Sequence, residues 1–68
     1  MSGKVNIMIN GEPRQVHQGQ TVAALIRELG LKACAAEVNR HLIPRREHDG
    51  RTLVEGDRVE LVTLVGGG

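Results

Sequence analysis

The chain runs a strand-like segment, LVTLV, straight into Gly66, Gly67 and Gly68. Glycine surrenders more backbone freedom on ordering than any other residue, so three in succession do not fold on their own. Extended, they reach roughly 10 Å beyond the preceding residue. With no Cβ they present only backbone, which threads a channel that side chains would block. At the tip is the α-carboxylate of Gly68, a poor acyl donor until one oxygen becomes a leaving group. Adenylation by ATP does this. A sulfur nucleophile then leaves a thiocarboxylate, whereas an amine or thiol gives a conjugate. Gly68 is therefore the candidate reactive residue, and Gly66 and Gly67 are the candidate threading residues. A frayed, inert end is the plain alternative. Direct attachment to a strand argues against it.

Other chemistry is sparse. Cys34, the single cysteine, sits in the apolar stretch KACAAEV and reads as a small buried hydrophobe. No histidine stands at a spacing that makes it a defensible base or metal co-ligand for that thiol, His41 included. Arg40, His41, Arg45, Arg46 and His48 form a basic stretch, but Glu47 and Asp49 interrupt it and net charge is only +1. Phosphate-backbone binding needs a clustered basic excess. The chain also has no Phe, Trp or Tyr on which a base could stack. Nucleic acid is therefore not expected as a partner, and an independent enzyme is not expected either. No run approaches the roughly 18 apolar residues of a membrane span. MSGKVNIMIN lacks the apolar centre of a signal peptide. With a lone cysteine, these features fit a cytoplasmic protein.

These residues must be positioned by a single small domain of 68 residues with an aliphatic core. In KVNIMIN, Val5, Ile7 and Ile9 alternate with Lys4, Asn6 and Met8, which predicts a strand with one buried face. Asn10-Gly11 predicts a type I′ hairpin turn, and Pro13 puts the return strand at an edge. TVAALIRELG predicts a helix capped by Thr21, with Val22, Leu25, Ile26 and Leu29 in one stripe and Gly30 at its end. LKACAAEVN is a further apolar segment and HLIP a strand stub. Turns are expected at Asp49-Gly50 and Glu55-Gly56-Asp57. RVELVTLV is the last strand. The order β-β-α-β-β-β predicts an α+β fold of β-grasp (ubiquitin-like) type. Its mixed sheet has four to five strands, the main helix crosses one face, and the last strand lies parallel to the first. The expected division is a domain over 1–65 and a flexible tail over 66–68. Met8, Val62 and Leu64 should face away from the helix as a partner-docking patch, with Arg45 at its rim steering an acidic partner.

The chain resembles the ThiS family, the ubiquitin-like sulfur carriers of thiamine biosynthesis. The resemblance rests on INGEPRQV, TVAALIRELGL, AAEVNRHLIPR and, above all, LVEGDRVELVTLVGGG, and it spans nearly the whole chain. It implies that an E1-like (ThiF-like) adenylyltransferase activates Gly68 using ATP and magnesium. It also implies sulfur arriving from a cysteine-desulfurase persulfide and passing to a ThiG-like thiazole synthase. The carrier itself would bind no cofactor or metal. The related MoaD proteins, small subunits of molybdopterin synthase, share the fold and the Gly-Gly end, so sulfur donation to another thiocarboxylate pathway stays open. So does a ubiquitin-like protein modifier.

Overall fold

A computed structural model describes residues 3–63. β1 (Lys4–Ile9) and β2 (Glu12–His17) form the first hairpin. Asn10 and Gly11 take φ of 50° and 84°, the double positive φ that a type I′ turn requires. Pro13 lies in β2 at the sheet edge, where its missing N–H costs no ladder bond.

α1 spans Val22–Glu28, and its first amides are all satisfied. Thr21 Oγ1 accepts from the Ala24 amide at 3.1 Å. The Val22 and Ala23 amides donate to the carbonyls of Arg51 and His48 at 2.9 and 3.0 Å. The segment 44–57 is therefore tied to the helix start. At the other end Gly30 adopts φ 74°. Its amide donates to Arg27 and that of Leu31 to Ile26, the paired bonds of a Schellman motif. Seven residues are too few for a helix to persist alone, so packing sustains this one. Val22 and Leu25 are fully buried against the sheet.

β3 (Cys34–Val38), β4 (His41–Ile43), a 3₁₀ turn (Arg45–Glu47) and β5 (Arg58–Thr63) follow. The sheet order is β2-β1-β5-β3-β4, with β5 parallel to β1 and the other pairs antiparallel. This is the β-grasp arrangement expected, with five strands. The core is aliphatic. Ile7, Val16, Leu25, Val38, Val59 and Leu61 make up most of it, and Leu53 enters from the long β4–β5 connection.

One hairpin carries no Asn-Gly or Asp-Gly signal in the sequence. β3 and β4 are joined by Asn39-Arg40, at φ 53° and 70°. Asparagine tolerates this region because its short amide bonds locally, whereas arginine has only steric cost there. Arg40→Gly should therefore stabilise the fold by about 0.5 kcal/mol, read as a small rise in the midpoint of urea unfolding.

Candidate functional site: the end of the central strand

β5 is the central strand and the one that leads into the glycine run. On one side it pairs with β3 through Thr63, opposite Cys34, and Val62, opposite Ala35. On the other side β1 stays in register only as far as Ile9, opposite Val59. Asn10 then takes over. Its Oδ1 accepts from the Leu61 amide at 2.9 Å, and its Nδ2 donates to the Leu61 carbonyl at 3.2 Å. A side-chain amide thus substitutes for a strand residue and holds β5 after β1 has turned away. Asn10→Ala removes both bonds and leaves a non-glycine residue at positive φ. The expected loss is about 2 kcal/mol, with faster hydrogen exchange at Leu61.

The start of β5 is fixed by Asp57, only 3% exposed. Its carboxylate accepts from the Val54 amide at 2.9 Å and the Asn39 side chain at 3.0 Å, and it pairs with Arg51 at 3.5 Å. Asn39 Oδ1 in turn accepts from the Arg58 amide at 2.9 Å. The β3–β4 hairpin and the turn before β5 are therefore one polar network. The EGD stretch signalled the turn, but nothing local in it signalled a buried acid.

The predicted partner-surface residues divide between the two ends of the sheet. Val62 is 59% exposed on the face away from the helix, beside Ala35. Leu42, which the sequence reading passed over, is 66% exposed on β4. It shares that face because it stands opposite Glu37, which itself stands opposite Glu60. Alternation within HLIP carried that signal. Arg45 lies in the 3₁₀ turn and lines a groove of about 200 Å³ with Cys34, Ala35, Leu42 and Pro44. It therefore sits near the Cys34–Thr63 end of the sheet, at the root of the tail. Met8 is half-buried and stands opposite Arg58 at the start of β5. At about 3.3 Å per residue, that is roughly 13 Å along the strand from Val62, so Met8 does not join this patch. Parallel pairing of β1 with the first residues of β5 causes the separation. Leu64, Gly66, Gly67, Gly68 and the 65/66 boundary lie outside the described residues.

Cys34 is half-buried and packs against the core. Its thiol donates to the Ala35 carbonyl at 3.5 Å. Burial pushes its pKa up, partly opposed by a hydrogen bond from the Val62 backbone. His41 pairs with Val38 at the far end of β3, so it is no base for Cys34. The thiolate form is disfavoured at neutral pH. Alkylation by iodoacetamide should be slower than for a free cysteine, with its rate rising only above the usual thiol range near about 8.5. No group of residues suited to holding a metal ion occurs among the described residues. No helix there is long and apolar enough to cross a membrane.

A β-grasp domain with an aliphatic core and a central strand leading to a glycine run defines the ubiquitin-like class. Within it, the ThiS family pattern matches residues 7–68. This chain belongs to the ThiS family. It is 38% identical over 64 residues to the sulfur carrier protein ThiS of Thermus thermophilus, covering 91% of this chain and 98% of that protein. It is 35% identical over 66 residues to a thiazole synthase of Paramagnetospirillum magneticum, covering 94% of this chain and 20% of that protein. The chain thus spans about a fifth of that synthase. The crystal structure of the thiamine biosynthesis protein ThiS from Geobacter metallireducens superimposes with a TM-score of 0.79 at 29% identity. The match covers 94% of this chain and 100% of that one.

Proposed function

We propose that this chain is a sulfur carrier for thiamine biosynthesis, with the Gly68 carboxyl as the group that carries sulfur. One observation supports this most: the strand preceding the glycine run is the central strand. It is gripped by β3 on one side and by β1 and Asn10 on the other. Such a strand offers a rigid base from which a bare backbone strip extends into a partner. The family match through residue 68 agrees with this.

In the proposed sequence, a Gly68 carboxylate oxygen attacks the α-phosphate of ATP on an adenylyltransferase that uses magnesium, and pyrophosphate leaves. A persulfide sulfur, supplied by a cysteine desulfurase, attacks the acyl carbon and AMP leaves, giving an acyl disulfide. A thiol reduces that disulfide, is itself oxidised to a disulfide, and frees the thiocarboxylate. Sulfur then passes to thiazole synthase. Similarity of this chain to a fifth of a thiazole synthase supports that choice of recipient. The carrier contributes no acid or base of its own. Its task is presentation, with Gly66 and Gly67 occupying the enzyme's channel and Val62 and Leu64 giving apolar contact beside it. Arg45 stands at the rim. Met8 would meet a partner only if the contact extended along the whole outer face.

Ordering the tail costs on the order of 1–2 kcal/mol per residue, which contact with the globular head must offset. The test is incubation with the adenylyltransferase, ATP, magnesium, a persulfide donor and a thiol, followed by intact and fragment mass spectrometry. A mass gain equal to sulfur replacing oxygen, mapped to Gly68, is the expected result. The same gain mapped to methionine or Cys34 is oxidation and counts against the reading. An isopeptide adduct on lysine would make the chain a modifier.

A further inference from the structure

On the helix side, a pocket of about 350 Å³ opens between the end of α1 and the 3₁₀ turn. Three cations line it: Arg27 from the last turn of α1, Lys32 from the α1–β3 loop and Arg45 from the 3₁₀ turn. All three are exposed, and none is in an ion pair among the described residues. Asp49 is the one carboxylate in the lining. Ala23, Ile26 and Leu31 supply an aliphatic wall.

We propose that this pocket docks an acidic segment of a protein partner, one that places an Asp or Glu among Arg27, Lys32 and Arg45 and an aliphatic side chain against Ile26 and Leu31. Three convergent positive charges against one negative give the pocket a net attraction for anions. The chain has no Phe, Trp or Tyr, and His48, the one ring in the lining, is buried, so a nucleotide entering here would find no exposed ring to stack its base on. A carboxylate borne on an aliphatic segment matches both the charge and the wall. Location adds to the case. Arg45 lines this pocket and also the groove beside Cys34, whose strand neighbour is Thr63. A segment docked here would therefore clasp the head near the root of the tail, on the side opposite Val62.

The proposal rests on the carrier reading, and its test separates the two. The full chain is titrated calorimetrically into the purified adenylyltransferase and, separately, the thiazole synthase of the same organism. The double variant Arg27→Glu with Arg45→Glu should bind at least one of them about tenfold more weakly at low salt, a gap that narrows as salt rises. The control Lys4→Glu with Arg40→Glu makes the same change in net charge elsewhere and should bind like the parent chain. Circular dichroism melts confirm that both variants fold. Equal weakening by the two variants would reduce the effect to overall charge and overturn the proposal, as would unchanged affinity in the pocket variant. If the parent chain binds neither enzyme, the carrier reading falls and takes this one with it. ATP alone shifting the amide resonances of Arg27, Lys32 and Arg45 would make the pocket a phosphate site and overturn the acidic-segment assignment.

Discussion

Removing Gly68 should abolish sulfur loading while leaving the fold intact. One residue of extended chain spans about 3.3–3.6 Å, so the truncated carrier presents its carboxylate that far short of the ATP phosphorus. Misplacement of a reacting group by about 1 Å already costs on the order of a hundredfold, so the loss here should be at least about a hundredfold in adenylation rate. Stability should be little affected, because the core and polar network found among the described residues are already complete without Gly68. The measurement is pyrophosphate release with the adenylyltransferase, alongside a urea unfolding curve. A truncated chain that is still adenylated at the parent rate would place the reactive group elsewhere. Restoring length with Gly68→Ala should recover part of the activity, since reach returns and only a methyl is added.

The largest effect on stability is expected at Asp57. Asp57→Ala leaves the Val54 amide and the Asn39 side-chain amide without their acceptor and Arg51 without its counter-ion. Losing buried partners of this kind costs about 3 kcal/mol, a large share of the stability of a domain this small. The melting temperature should fall by roughly 15 °C. Asp57→Asn should recover only part of this. An amide keeps one acceptor oxygen, but it turns an N–H₂ toward either the Val54 N–H or the Asn39 N–H₂, both donors. If Asp57→Ala melts within a degree or two of the parent, the network is not what anchors β5.

Much of this architecture was legible from local signals. The alternation of Val5, Ile7 and Ile9 and of Val59 and Leu61 settled which faces are buried, because side chains on a strand point to opposite sides in turn. Asn10-Gly11, Thr21 and Gly30 announced the turn and both helix ends, because each position's backbone geometry admits few residue types. With one helical stripe and several strands, little besides a sheet crossed by that helix remained. The outward placement of Val62 followed from the same period of two.

Other features were not legible, since they depend on partners far away in the chain. Asn10 reads as a turn residue, yet its amide also bonds Leu61, 51 positions away. Asp57 reads as a polar turn residue and is buried only because Asn39 and Arg51 converge on it. Met8 and Val62 read as members of one patch, and only the register of β1 on β5 separates them. Arg27, Lys32 and Arg45 look like scattered surface cations until the helix end and the 3₁₀ turn bring them around one pocket. Elements, caps and buried faces follow from periodicity and backbone preference within a few residues, so local signals suffice for them. Strand register, the acid network and the grouping of surface charges arise only in the folded molecule. Those are set by how distant segments pack, and no local preference encodes that.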